Sequence, residues 1–276
     1  ASEYEKYMRE NHHYAPDELR IKSRNGTFSI GGDRESIRLL DDDVQMIRAV
    51  AKVQPRTVVV IVAGSAVVMS EWINEVPAVV VGWYSGINGG RALANILSGA
   101  VNSSGRLPFV IPHDESHLPF FDRNAKKITY DYWHGQWKLD RDGNEAMFPF
   151  GFGCSYTQFS ISSPTIETNE VVKFRCEVSN TGSRDGATVV QVYAGRKDSL
   201  IERPKRRLVA FKRVELRAGE TKHVECTASL KSLATRDTKT HSWFVEQGIW
   251  NFEIAQFSGD PMALPLELSI REQINF

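Results

Sequence analysis

Two rhythms of apolar and polar positions divide the chain near residue 125. Before it, unbroken apolar runs alternate with stretches of helical period. TVVVIVAGSA (57–66) is a β-branched run ending in small residues, the pattern of a strand buried on both faces, and VPAVVVGWYSG (76–86) repeats it. DDDVQMIRAVAKV, just before the first run, has an acidic start suited to the positive end of a helix. Val44, Ile47 and Ala51, with Met46, Val50 and Val53, give it a broad apolar stripe. INGGRALANILSG predicts a second helix closed by Gly99. The order is βαβα, which predicts an α/β part with a mainly parallel sheet.

After residue 150 the period drops to two. VVKFRCEVSN, ATVVQVYAG, RRLVAFKRVEL, KHVECTASL, WFVEQGIWNFEIAQ and LPLELSI are candidate strands, separated by the turn signals NTGSRDG, RAGE, EQG and SGD. Such spacing predicts an antiparallel sandwich of about seven strands. Without the Cys…Trp…Cys signature of antibody domains, it is better described as fibronectin-III-like. The expected division is a partial α/β sandwich domain over 1–125, a linker and seam over 126–150, and the β-sandwich over 151–276.

Composition narrows the function classes. The 276 residues are 41% hydrophobic, enough for two ordinary cores. The 34 basic and 34 acidic residues cancel, which gives no support for a nucleic-acid or anionic-membrane partner. No apolar run reaches the roughly 18–20 residues of a membrane helix. No signal peptide is recognisable, but the chain begins with Ala, so its start is read as processed or cut and its compartment stays open between cytoplasm and outside. Cys154, Cys176 and Cys226 lack metal-ligand spacing. Cys176 and Cys226 each fall on the apolar face of a strand, as buried reduced thiols or as a disulfide pair. His12, His13, His113 and His117 have no partners at ligand spacing and are read as surface or loop residues, so no metal or cofactor is expected. Trp72, Trp83 and Tyr84 could stack on a sugar or pack in a core. NGT at Asn25 and NSS at Asn102 are glycosylation sequons only in a secreted eukaryotic protein.

MFPFGFGCSYTQF (147–159) stands where the two rhythms meet. It is too aromatic for an ordinary linker and too rich in Gly and Pro for a helix. Phe148, Phe150, Phe152 and Tyr156 are expected to be mostly buried between the two halves, with a sugar-stacking platform as the alternative.

The same stretch resembles the "PFG-x-G-L-S-Y-T-x-F" seam of glycoside hydrolase family 3, the β-glucosidase family. Four further stretches match in order. GGDRESIRL (31–39) resembles "DR-x-x-L-x-L". WYSGINGGRALANILSGAVNSSGRLPFVIP (83–112) resembles "WYPG-x-x-GG-x-A-x-A-D-x-L-x-G-x-x-NPSGRLP-x-T-x-P". VSNTGSRDGATVVQVYAG (178–195) and RPKRRLVAFKRVELRAGE (203–220) resemble two segments of the family's terminal sandwich.

The resemblance implies a TIM barrel, an α/β sandwich and a fibronectin-like domain acting in a retaining β-glycosidase. A barrel Asp is then the nucleophile and a Glu of the α/β sandwich the general acid/base, about 5–5.5 Å apart across the sugar. This sequence contains neither the "SDW" nucleophile motif nor length for a barrel, so it is expected to be the C-terminal part of a larger enzyme. ASEYEKY followed by GGDRESIRL resembles the subgroup pattern "GYT-x-x-DEGEY … GGDR-x-SLRL". That places Glu3 at the general acid/base position with Glu5 second; both are otherwise surface charges. Asp33 and Arg34 are read as a structural ion pair. The expected partners are a β-glycoside or oligosaccharide and the absent barrel portion, with self-association open. A non-catalytic carbohydrate-binding or scaffold fragment is the other class.

Overall fold

A computed structural model describes residues 21–23, 26–28, 36–122 and 125–276. Two compact units are present: residues 1–86 with 112–132, and residues 87–111 with 133–276.

In the first unit, β1 (Ile21–Ser23) and β2 (Gly26–Phe28) form an antiparallel hairpin. Helix α1 (Asp41–Val53) starts on Asp41, Asp42 and Asp43, whose charges suit the helix N-terminus, and carries Lys52 in its last turn. Through residues 54–57 it leads into β3 (Val58–Ile61), which pairs in parallel with β4 (Ala78–Val81) from Val58↔Ala78 to Ile61↔Val81. The unit's interior is VVMSEW, where Val67, Val68, Met69 and Trp72 are almost fully buried.

The expected mainly parallel sheet is corrected here. Among the described residues, β3–β4 and a single bridge, Arg38↔Val68, pair in parallel, whereas the β1–β2 hairpin and all the sandwich pairs are antiparallel. Parallel strands need crossover connections, and this unit joins β3 to β4 through a short 3-10 turn, Ile73–Glu75, rather than through a helix. The stripe on α1 is also narrower than its pattern: Val44 and Ile47 are buried, while Met46, Val50 and Val53 are exposed.

The second unit opens with α2 (Gly89–Leu97), closed as expected by Gly99 at φ 74°, whose N–H donates to Ile96 O at 2.9 Å. β5 (Ile111–Pro112) follows. The stretch expected as linker contains α3 (Gly135–Asp142), ended by left-handed Gly143, and β6 (Ala146–Phe148). The sandwich strands are β7 (Phe159–Thr168), β8 (Val171–Asn180), β9 (Gly186–Gly195), β10 (Arg207–Leu216) and β11 (Thr221–Ser229). After β12 (Thr235–Arg236) and β13 (Trp243–Val245) come β14 (Gly248–Ala255), β15 (Leu264–Ile270) and β16 (Ile274–Asn275).

One sheet has the order β10-β9-β14-β15 and the other β11-β8-β7, antiparallel throughout. The sandwich thus has the expected seven strands. β7 was not foreseen, because FSISSPTIET hides its period behind Ser, Thr and a Pro; the register shifts between Ser162 and Thr165, at an edge where Pro is tolerated. WFVEQGIWNFEIAQ breaks into β13 and β14 at Gly248, φ 122°. Alternate residues of β8, β9, β11 and β14 fill the core, with the Phe174 and Phe252 rings tilted against each other at 5.0 Å. Cys176 and Cys226 are free thiols in that core; burial pushes Cys176 up to about 12 and Cys226 up to about 11, so neither is a nucleophile at neutral pH.

A buried ion pair locks the loop after β9. Arg203 Nε lies 2.7 Å from Glu246 Oε2, with side chains 10% and 9% exposed. Ser199 Oγ and Leu200 N also donate to Glu246, and the guanidinium lies over Trp250 at 4.9 Å. Burial pushes the Glu246 carboxyl up, but these donors outweigh it and hold it below its ordinary value. A depressed carboxylate stabilises the fold above its unfolded pKa, and that contribution is lost as pH falls through the folded value. Arg203→Ala should cost about 3–5 kcal/mol at pH 7, since it strands a buried charge. Arg203→Met with Glu246→Leu should cost much less. Urea unfolding at pH 7 and below pH 4 checks both; equal losses for single and double variants would contradict this account.

Candidate active site

The C-terminal edge of a parallel sheet is where open α/β folds place ligands. Here that edge is formed by the ends of β3 and β4 and the loops that follow. Gly82 N donates to Ile61 O at 2.8 Å, extending the pairing by one residue. The chain then turns through Trp83 at φ 52°, a conformation costly for a large side chain and frequent at functional sites. Tyr84 follows, 77% exposed, with its ring against Gly64 of the loop after β3. A Cβ on Gly64 would lie 2.9 Å from that ring, so a larger residue there would push the ring aside. Of the three aromatics considered for sugar stacking, Trp72 is core, Trp83 is half-buried and Tyr84 is open to solvent.

The segment entering α1 is fixed by a polar cluster in the same unit. Glu115 Oε2 accepts from Ser36 Oγ at 2.7 Å and from Ile37 N at 3.1 Å. Arg38 pairs with Glu71 and Asp114, and its Nε is 3.8 Å from Glu115. Val68 N donates to Ile37 O at 3.0 Å. The bond to Glu71 raises the Arg38 pKa. The Ser116 backbone N–H, then its hydroxyl, hold Asp114 below the ordinary carboxylate value. A general acid working near neutrality needs the opposite shift, so Asp114 is a structural anion. The cluster joins positions nearly eighty residues apart, and nothing local in HDESH announces it.

Glu3, Glu5, Asp33, Arg34, His12, His13 and Asn25 lie outside the described residues. His117 is half-buried in the turn Glu115–His117, and no group of three or more potential metal ligands occurs among the described residues. No described helix is long and apolar enough to cross a membrane.

The aromatic stretch 147–159 is held within the second unit. Phe148 and Phe152 stack at 5.3 Å, and Phe152 meets Phe257 edge-on at 5.5 Å. Gly151 N donates to Leu107 O, Leu107 N to Phe152 O, Ser258 N to Phe150 O, and Phe150 N to Gln136 Oε1 at 3.0 Å. Phe148, Phe150 and Phe152 are half-buried rather than mostly buried, and Tyr156 is 46% exposed. Tyr156 is polar at its tip: its hydroxyl donates to Ile96 O at 2.8 Å and its ring lies under Arg184, so it needs no deep burial.

Asn102 ties the same region together. Its Oδ1 accepts from Ser155 Oγ and Tyr156 N, and its Nδ2 donates to Asp185 O at 3.1 Å. The amide of this sequon is therefore occupied in the folded chain.

The Glycosyl hydrolase family 3 C-terminal domain matches residues 8–156, and the Fibronectin type III-like domain matches residues 188–258. Beta-glucosidase BoGH3A of Bacteroides ovatus is 36% identical over 244 residues, which cover 83% of this chain and 32% of that protein. Thermostable beta-glucosidase B of Acetivibrio thermocellus is 34% identical over 242 residues, 84% of this chain and 32% of the relative. The crystal structure of the β-glucosidase from Kluyveromyces marxianus superposes with a TM-score of 0.83 at 29% identity, over 88% of this chain and 30% of that one. β-Glucosidase 3B from Thermotoga neapolitana, in complex with α-D-glucose, gives 0.84 at 27% identity over 99% and 44%. The chain spans about a third of the length of these two curated relatives.

Proposed function

Because the chain belongs to the glycosyl hydrolase family 3 C-terminal domain family, we propose that it works as the C-terminal portion of a retaining β-glucosidase that releases terminal β-linked sugars. The observation that carries this reading is the family match over residues 8–156 together with β-glucosidase relatives aligned over more than four-fifths of the chain. In this reading residues 1–125 supply the general acid/base, with Glu3 in that role and Glu5 second. The nucleophilic Asp comes from a barrel portion of the enzyme. The acid/base protonates the glycosidic oxygen as the nucleophile forms the glycosyl-enzyme, then removes a proton from the water that hydrolyses it. The Arg38 cluster serves this chemistry by holding the segment 36–38, which directly follows GGDRE, against Glu115 and Val68.

One carboxylate cannot form a glycosyl-enzyme without a nucleophile. The 276-residue chain alone is therefore expected to give no burst and no turnover with aryl β-glucosides, and the chain joined to its barrel portion is expected to give both. Stoichiometric burst kinetics from the chain alone would overturn the division of roles. A joined protein that binds sugars without hydrolysing them would mark a non-catalytic carbohydrate-binding scaffold instead.

A further inference from the structure

Strands β12, β13 and β16 form a small sheet of their own at one end of the sandwich. Arg236 is the cross-strand partner of Trp243, so their side chains share a face. Phe244 pairs with Asn275, and Phe276 N donates to Trp243 O at 2.8 Å, which sets Phe276 beside Trp243 on the other side. Val245 and Ile274, next but one along these strands, run into the sandwich core. Trp243 and Phe276 thus stand at the rim where that core opens to solvent, 42% and 47% exposed.

Cations flank this aromatic row at both ends. Lys231 Nζ lies over the Phe276 ring at 5.9 Å, and Arg236 stands beside Trp243. The turn between β12 and β13 adds exposed Lys239 and His241. His241 is held at φ 57°, with Nδ1 3.4 Å from Arg236 Nη2. The turn's one carboxylate, Asp237, accepts from the Lys239 and Thr240 amides. In a chain whose formal charge sums to zero, this rim sets Lys231, Arg236 and Lys239 against Asp237 and the α-carboxylate of Phe276, so cations outnumber anions three to two.

From this row we infer that the sandwich end is a binding surface for an oligosaccharide bearing carboxylates, a uronic-acid chain. The aromatic pair takes the apolar faces of two sugar rings, and Lys231, Arg236 and Lys239 take their carboxylates. Trp243 lies on a paired strand and Phe276 is tied to it through its backbone N–H, so little backbone freedom is lost on binding. Charge complementarity at an exposed site makes the affinity fall with salt. The surface binds whether or not the chain takes part in catalysis, because no residue of the first unit is involved.

Titration of the full chain with tetragalacturonate, followed by calorimetry and tryptophan fluorescence, tests this. Binding is expected at millimolar or tighter levels, weakening as salt is raised. Cellotetraose, of the same length but uncharged, should bind about tenfold more weakly. Trp243→Ala should weaken tetragalacturonate binding about tenfold, and Lys231→Ala and Arg236→Ala about threefold each. The two charge variants lie at the surface, so they remain informative even if Trp243→Ala unfolds the sheet. No binding, binding indifferent to all three substitutions, or equal affinity for cellotetraose overturns the inference. Tighter binding of a short oligouridylate than of tetragalacturonate also overturns it, in favour of a nucleic acid.

Discussion

Glu3→Ala, made in the enzyme with its barrel portion present, is expected to slow hydrolysis of alkyl β-glucosides by about 10²–10⁴-fold, the range of a lost general acid. Activated aryl glucosides should lose far less in the first step, because a nitrophenolate departs without a proton. Their second step still needs a base to activate water, so the glycosyl-enzyme should accumulate. Azide, which attacks without base help, should restore turnover on these activated substrates and yield a β-glucosyl azide. Glu5→Ala should be milder on every substrate. Measuring kcat/KM across leaving groups of graded acidity gives the answer as a slope. If Glu3→Ala leaves alkyl glucosides near wild-type rates, Glu3 is a surface charge and the acid/base lies elsewhere.

Gly151→Ala is expected to cost about 2–4 kcal/mol, the sum of a left-handed backbone strain and an overpacked interior. Gly151 has φ 83°, and a Cβ there would fall 2.0 Å from Gln191 Oε1 and 2.8 Å from Tyr193 Oη. Gln191 has nowhere to go. It is 3% exposed, its Nε2 donates to Gly151 O at 3.0 Å and to Gln256 O, and its Oε1 accepts from Tyr193 Oη at 2.6 Å. Burial raises the Tyr193 pKa, so at neutral pH this hydroxyl keeps its proton and stays a donor. For a domain of this size the loss corresponds to a fall in Tm of roughly 5–15 °C. Gln191→Ala alone is also destabilising, because it strands Gly151 O, Gln256 O and Tyr193 Oη, but in that background Gly151→Ala should cost less, by the part due to the clash, and keep the part due to φ. A Tm within about 2 °C of wild type for the single variant would show that the network yields at little cost.

Much of the second unit was legible because its pattern is local. Period-two alternation in VVKFRCEVSN or KHVECTASL needs only neighbours along one strand to be read, and both elements appear where the pattern puts them. Gly99 was legible for the same reason: a helix end needs a residue that tolerates positive φ. β7 was not, because an edge strand half-exposed to water can be built from Ser and Thr and bent at a Pro. The polar cluster around Arg38 and the Gln191 clamp on Gly151 were also hidden. Their partners are brought together by the fold from segments far apart, and no spacing along the chain records them.

By itself the sequence determined the two rhythms and the family to which the chain belongs, since five ordered motifs and a period of hydrophobicity are properties of the chain alone; the expected βαβα order gave way to α1-β3-β4-α2, with only a 3-10 turn between the two strands. Only the tertiary structure decided how wide a face each pattern buries, as when α1 hides Val44 and Ile47 but leaves Met46, Val50 and Val53 to water. It also decided that α2 clusters with the sandwich unit rather than with β3 and β4, and that the sandwich strands pair antiparallel while β3 and β4 pair in parallel. The physical reason is one of range: side-chain periodicity is set by the backbone over a few residues, whereas burial and pairing are set by whatever surface the rest of the chain brings to meet it.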